Sequence, residues 1–322
     1  MPQMFEELHR FLEGYTRIVV AGHTDPDGDC LCSQLALASV LTRREKDVQL
    51  LSPGPFRRPE IQEYAERFSQ SFDSSRPLPE AAVILDCSTI DRIGELGDLI
   101  QGLPVAVIDH HASGEPFGEV RVIDPSAPSV TYMINKYIHE IGEVPNDNEA
   151  SWLLFGLCTD TGYFRHLGSG SQKAFETASD LVAAGASPKE IYHKMYGNQS
   201  FLSRRLVGRL LERTESHFDG RLLLTWQTEE DVRTFGGEHG DSDAVYQQLQ
   251  MVSGSQVIIF IRSESDGALS VGLRSLTTPD VGILARSFGG GGHPNAAGYD
   301  TEGTIADEKR KILAAVKPLL NV

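Results

Sequence analysis

Apolar residues in the first half of the chain come in short unbroken runs rather than in alternation. RIVVAG (Arg17 to Gly22), AAVILD (Ala81 to Asp86) and VAVID (Val105 to Asp109) are apolar almost throughout. Strands covered on both faces look like this, which predicts a mainly parallel sheet packed under helices. VQLLS and EVRVID (Glu119 to Asp124) read as two further strands. Between them, Leu31, Leu35, Ala38 and Leu41 recur at helical spacing within a stretch from Asp29 to about Lys46, and a second helix is predicted around Pro59 to Phe68. Helical segments dominate from Ser129 to about Phe218, broken near Gly142 to Asn146 and at Gly168 to Gly170. The second half brings the strands RLLLTW, VIIFIR and LSVGLR, helices near Asp241 to Val252 and Asp307 to Leu319, and the glycine run FGGGGHPNAAG between Phe288 and Gly298. The pattern predicts an α/β protein. A mainly parallel-sheet N-terminal domain over 1–186 carries helices on both faces. A helical connector over 187–211 leads to a smaller α/β domain over 212–322.

The acids and histidines fall where the strands end. RIVVAG is followed by His23, Asp25, Asp27 and Asp29, AAVIL by Asp86, and VAVI by Asp109, His110 and His111. Open α/β sheets bind ligands beyond the carboxyl ends of their strands, so three parallel strands would deliver these groups to one edge. Asp160 stands in the apolar segment WLLFGLCTDTGYF, where a carboxylate is costly unless paired or coordinated. The donor set is rich in carboxylates, has a few imidazoles and offers no convincing thiolate site. Mn²⁺ or Mg²⁺ suits it, and Zn²⁺ or Fe²⁺ is compatible. Four or five carboxylates at one point need more positive charge than one ion supplies, which favours a two-ion site.

Each piece also has a plainer reading. DPDGD could simply turn the chain and cap a helix, and Asp86 alone could cap the helix after it. An EF-hand is excluded, because Gly28 comes too early in the loop and Ala36 stands where the bidentate Glu belongs. Cys30 and Cys32 form C-x-C without a second pair and read as packing. His9, His139, His193, His217 and His239 read as surface groups. The glycine run suits either a hairpin connection or a close approach to a ligand. His293 beside it and Arg274 leaving a strand tilt it towards ligand binding.

Charge narrows the partners. Of 322 residues, 45 are acidic and 29 basic, a formal net charge of −16. That field repels a long phosphate backbone, so broad binding of duplex nucleic acid is disfavoured, while a small phosphorylated ligand needs only a local reversal of sign. No apolar run approaches the length of about 20 residues that spans a bilayer. The N-terminal segment lacks the apolar core of a signal peptide. The four cysteines (Cys30, Cys32, Cys87, Cys158) are too few for a disulfide framework, so reduced thiols and a cytoplasmic location are expected.

Taken together, these residues resemble the DHH phosphoesterase family over nearly the whole chain. The motifs are His23-x-x-x-Asp27-x-Asp29, Asp86 in VILDCSTIDRIG, Asp109-His110-His111 in VIDHH, Asp160 in GLCTDTGYFRH, and the C-terminal GGGGHPNAAG of a DHH-associated domain. The resemblance implies two divalent ions, Mn²⁺ first, with Mg²⁺, Fe²⁺ or Zn²⁺ compatible. It implies that His23 and Asp27 hold one ion, that Asp29, His110 and Asp160 hold the other, and that Asp86 bridges them. His111 would contact the scissile phosphate, and Asp109 would orient a histidine. Arg274, Ser275, Gly290, Gly291, Gly292 and His293 would hold a base or a second phosphate, with Arg165 as a further phosphate contact. Cys30 and Cys32 depart from the pattern, standing where small or aliphatic residues are expected. The compact layout looks like the nanoRNase/pAp phosphatase group, which acts on very short RNA and on 3′-phosphoadenosine 5′-phosphate (pAp). A phosphodiesterase for cyclic di-AMP or pApA is the alternative, and a non-enzymatic nucleotide-binding regulator a weaker one. A homodimer is compatible with either. A dinucleotide-binding fold is disfavoured, since no GxGxxG follows the first strand.

Overall fold

The computed structural model describes residues 3–197, 199–235, 242–264, 267–276 and 278–320. Two units divide the chain, 1–198 and 199–322. In the first, helix α1 (Gln3–Gly14) precedes strand β1 (Arg17–Gly22), helix α2 (Gly28–Arg43) and strand β2 (Asp47–Leu51). Strand β3 (Ala81–Leu85), the four-residue helix α3 (Leu96–Leu99), β4 (Val105–Asp109) and β5 (Val120–Ile123) follow. Helices α4 (Val130–Glu140), α5 (Asp147–Asp160), α6 (Gln172–Ala183) and α7 (Pro188–Tyr196) complete the unit.

The five strands form a sheet in the order β2-β1-β3-β4-β5, every pair parallel. Alternate residues feed two cores. Ile18, Val20, Val83, Leu85 and Ile108 pack beneath α1, α2, α4 and α5, while Val19, Ala21, Ala82, Ile84 and Val107 join Ile93, Leu96 and Ile100 on the other face. Burial on both faces explains the unbroken apolar runs. The second face is covered thinly, by α3 and a 3-10 turn over Ile90–Ile93. The Pro59 to Phe68 segment is also a 3-10 helix, Pro59–Arg67, begun by its proline.

Helices α2 and α4 are capped where they begin at the functional edge, and α5, which ends there at Asp160, is fixed at its opposite end. Asp27 caps α2 by accepting the Cys30 N–H at 3.0 Å, and Ser129 caps α4 through the Tyr132 N–H. Asn146 and Glu149 form a reciprocal capping box at the start of α5. The fully buried Glu149 carboxylate also takes hydrogen bonds from Ser39 (2.6 Å) and Arg43 (3.0 and 3.1 Å), tying α5 to α2. Helix α5 lies close against its neighbours at Gly156, where a Cβ would stand 2.4 Å from Thr131 Cγ2 and 3.1 Å from Asp29 Cα.

The second unit comprises α8 (Phe201–Glu212), β6 (Glu215–His217), β7 (Leu222–Gln227), α9 (Glu229–Phe235), α10 (Ser242–Gln250), β8 (Val257–Ser263), β9 (Ala268–Ser275), α11 (Val281–Ser287), β10 (Gly291–His293), β11 (Ala296–Glu302) and α12 (Ile305–Val316). Its mixed sheet runs β10-β11-β9-β8-β7-β6, with only β7 and β8 parallel. The short helices α9 and α11 lie where no helix is predicted. The glycine run is not a bare connection: it supplies β10, paired Gly291 to Gly298 and His293 to Ala296. Two of the five expected surface histidines are held in the structure. His9 meets the Tyr137 hydroxyl at 3.1 Å and His217 meets Glu215 at 3.1 Å. His139 and His193 are exposed, while His239 and Asp241 lie outside the described residues. Among the described residues, no helix is long and apolar enough to cross a membrane.

Candidate metal centre

The parallel register carries the ends of β1, β3 and β4 to one edge, where His23, Asp86 and the Asp109-His110-His111 triplet converge. The strand order reverses direction beside β1, the position at which open α/β sheets bind ligands. The donors group into three overlapping sets: His23, Cys30 and Asp86; Asp86, His110 and His111; Asp29, His110 and Asp160. Within each set the ligand atoms lie within 4.8 Å of one another. Asp86 belongs to two of them. Its backbone takes φ = 57°, a left-handed conformation uncommon outside glycine. Its side chain is 3% exposed and Oδ1 has no hydrogen-bond partner. His110 Nε2 at 3.6 Å and His111 Nδ1 at 3.7 Å approach that oxygen from beyond hydrogen-bond distance, and a cation there would meet the cost of its burial.

The imidazoles are held in the tautomer that metal ligands need. His23 Nδ1 donates to the Thr24 carbonyl (2.7 Å), so its Nε2 faces Asp86 at 3.4 Å. His110 Nδ1 donates to the Ala127 carbonyl (3.2 Å), and its Nε2 faces Asp160 at 3.1 Å and Asp86 at 3.6 Å. A backbone acceptor on one ring nitrogen fixes the proton there and leaves the other to coordinate. His111 is oriented differently: its Nδ1 donates to Asp109 at 2.7 Å. The same Asp109 oxygen also accepts the backbone N–H groups of His110 (2.8 Å) and His111 (3.2 Å).

The protonation equilibria show how much negative charge is gathered. Burial, then the nearby Asp160 and Asp86, push Asp29 well above the usual carboxylate range. Burial also raises Asp160, despite its bond to His110. For His110 burial opposes the charge, but Asp160, Asp29 and Asp86 outweigh it and lift the pKa to about 10. Burial likewise opposes charge on His23, and Asp86 overcomes it, so its pKa is raised. Burial opposes the charge of Asp109, but the hydrogen bond and charge of His111 together with the backbone N–H groups of His111 and His110 outweigh it, so its pKa is lowered. The edge calls for positive charge, and two divalent ions would meet that demand.

Not every expected residue joins a cluster. Asp27 caps α2 and pairs with Arg58 at 3.3 Å, outside all three sets. Asp29 does join one, but its carboxylate also accepts the Val130 N–H (2.6 Å), the Thr131 N–H (2.8 Å) and the Thr131 hydroxyl (2.6 Å), so it anchors the start of α4 as well. Arg165 is exposed just beyond α5, its Nε bonded to the Gly162 carbonyl at 2.9 Å. In the second unit, a cavity of about 450 Å³ is lined by Tyr246, Arg262, Arg274, Gly272, Gly290 and Gly298, among others. The Arg274 guanidinium lies 4.4 Å from the centre of the Tyr246 ring. Strand β9 alternates, so Ser275 faces the buried side opposite Arg274 and does not line that cavity. Gly291, Gly292 and His293 are exposed on β10. Sequence reasoning missed Arg58, Arg262 and Tyr246. Arg58 sits in a proline-rich loop with no periodic signal, while Arg262 and Tyr246 could have been read from the ends of VIIFIR and the helix after Asp241.

Family models match both units: the N-terminal domain of the DHH family over residues 17–157 and the DHHA1 domain over 231–321. The chain belongs to the DHH family, whose phosphoesterases are metal-dependent. It is 30% identical over 320 residues to the "bifunctional oligoribonuclease and PAP phosphatase NrnA" of Thermus thermophilus, an alignment covering 98% of this chain and 93% of the relative. Its identity to the protein of the same name from Bacillus subtilis is 27%, covering 98% of each. A crystal structure of an exopolyphosphatase-related protein from Bacteroides fragilis shares the fold, with a TM-score of 0.87 at 24% identity, covering 100% of this chain and 98% of that one.

Proposed function

We propose that this chain is a two-metal phosphoesterase that hydrolyses short oligoribonucleotides and removes the 3′-phosphate from pAp. The observation that carries the reading is Asp86, a buried carboxylate that belongs to two donor sets, with Oδ2 towards His23 and Oδ1 towards His110 and His111. Full-length similarity to two relatives named as oligoribonuclease and PAP phosphatase supports the substrate class.

In this reading His23 and Asp27 would hold one ion, Asp29, His110 and Asp160 the other, and Asp86 both. Asp27 would exchange its Arg58 partner for the ion. Mn²⁺ is the first choice, on the strength of a donor set dominated by carboxylates. When bound, such ions activate water and clamp the attacking and leaving oxygens of phosphoryl transfer. Asp109 holds the proton on His111 Nδ1, so His111 presents Nε2 to the scissile phosphate in a fixed orientation. Arg274 and Arg262 beside the Tyr246 ring offer cations and a π-face to a nucleotide, and the glycines leave its backbone room to approach.

The test is a substrate panel: pAp, pApA, a five-nucleotide RNA and cyclic di-AMP, each with Mn²⁺. Release of AMP or phosphate from pAp and the linear RNAs is expected, with cyclic di-AMP slower. Asp86→Asn is the control, because Asn also tolerates positive φ and the fold should survive. If wild type turns over none of these faster than Asp86→Asn, the proposal fails. Turnover of cyclic di-AMP alone would favour the alternative.

A further inference from the structure

Cys30 reads from the sequence as packing, yet its sulfur lies within 4.8 Å of donor atoms of both His23 and Asp86. The thiol is fully buried at the first turn of α2, and the structure makes room for it. A Cβ at Gly22 would stand 2.3 Å from Cys30 Sγ, so only glycine fits beneath the sulfur. Gln34, itself fully buried, donates from Nε2 to Sγ at 3.5 Å and to the Cys30 carbonyl at 3.0 Å. A side-chain N–H aimed at a sulfur orients it and supports negative charge there. Asp86, the third member of the set, is 3% exposed and turns Oδ2 towards His23 Nε2 at 3.4 Å. The other three cysteines join none of the donor sets: Cys32 lies beside Tyr64, Cys87 Sγ donates to the Thr89 carbonyl at 3.1 Å, and Cys158 packs in the apolar core.

We propose that Cys30 supplies a sulfur donor to the ion held by His23 and Asp86, so that the two metal positions differ in chemistry. The first position combines nitrogen, oxygen and sulfur and favours borderline ions such as Zn²⁺, Fe²⁺ or Co²⁺. The second, made by Asp29, His110 and Asp160, offers only nitrogen and oxygen and suits Mn²⁺ or Mg²⁺. This inference rests on the two-metal reading above. Coordination releases the thiol proton to solvent as the metal–sulfur bond forms, with no change of oxidation state.

The experiment uses full-length protein stripped of metal and reloaded with Co²⁺ or Zn²⁺. Wild type should show thiolate-to-cobalt charge-transfer absorption in the near ultraviolet. X-ray absorption at the zinc edge should find one sulfur scatterer at about 2.3 Å per two ions. Cys30→Ser should lose the band while keeping the visible cobalt bands of nitrogen and oxygen ligation. Cys32→Ala should keep both. With Zn²⁺ and Mn²⁺ in competition, the preference of the first position for Zn²⁺ should fall at least about tenfold in Cys30→Ser, since even an outer partner of a ligand is worth that much affinity. Absence of the sulfur scatterer from wild type, or a band unchanged in Cys30→Ser, overturns the proposal, and the scattering result decides even if that variant fails to fold. Two bound ions with turnover but no sulfur ligation would leave the proposed function standing and this inference refuted. A protein that binds no ion refutes both.

Discussion

One oxygen of Asp109 accepts three N–H groups, two from the backbone and one from His111 Nδ1. It therefore shapes the turn after β4 and sets the proton of the histidine in one step. Asp109→Asn keeps the size but can turn an amide N–H towards the ring, displacing that proton to the other nitrogen. Turnover should fall roughly 10²- to 10⁴-fold, the range for losing a positioned acid–base group or its correct tautomer. The metal content measured by mass spectrometry should stay at that of wild type. Loss of the ions would instead place Asp109 among the ligands, and unchanged turnover would remove His111 from the chemistry. These roles are legible because strand ends announce themselves: an apolar run stops and an acid or histidine follows. Asp27 is the opposite case. Its spacing from His23 is clear in the sequence, but its partner Arg58 lies in a loop that periodicity cannot place.

Elements hold the edge in register, and glycines at crossings do this without a polar signal. Gly156 on α5 faces Thr131 on α4 and the backbone of Asp29 on α2. Gly156→Ala would drive a methyl into Thr131 Cγ2, and the neighbours can yield only by separating the helices that hold the Asp29 carboxylate. Overpacking of this kind costs about 1–3 kcal/mol, so thermal unfolding should shift downward and metal affinity should weaken with it. Unaltered stability would mean the crossing has slack. In the sequence, Gly156 is one small residue inside WLLFGLCTD, and nothing distinguishes it from a helix interior. The missed helix α9 has a different cause. It is only seven residues long, and what fixes it is polar: Thr228 and Asp231 cap one another (2.9 and 3.2 Å), and Arg213 donates to Asp231 at 2.8 Å. Burial opposes the Asp231 charge, but Arg213 and Thr228 outweigh it and lower its pKa. The stabilisation is therefore complete above the unfolded carboxylate pKa of about 3.9 and is lost as pH falls through the lower folded value. Asp231→Ala should destabilise by about 1–3 kcal/mol at neutral pH. In urea titrations the gap from wild type should close under strongly acidic conditions. A gap that persists in acid would trace the loss to packing rather than charge.

The charge of the molecule is uneven. Residues 1–198 hold 29 acidic and 16 basic side chains, whereas residues 199–322 hold 16 and 13. The unit that carries the candidate metal centre thus has a formal charge of −13, and its partner has −3. Two divalent ions would return four of those charges, all at one edge of one sheet. The first phosphates of a substrate meet that local positive charge, while phosphates farther along a strand meet the remaining negative field. Fields of this kind reach about 8 Å at physiological salt and about 30 Å at very low salt. Two consequences follow for a single-stranded RNA series from two to about twenty nucleotides, read as kcat/KM under constant Mn²⁺. At low ionic strength the dinucleotide should be cleaved far faster than the long strands. Added salt should narrow that gap, because screening removes repulsion from the distal phosphates while the dinucleotide has none to relieve. This is the reverse of a protein that grips a long backbone with lysines and arginines, for which salt weakens long substrates most. Twenty-nucleotide strands cut as fast as dinucleotides at low salt, or losing rate preferentially as salt rises, would show that the acidic surface sets no limit on substrate length.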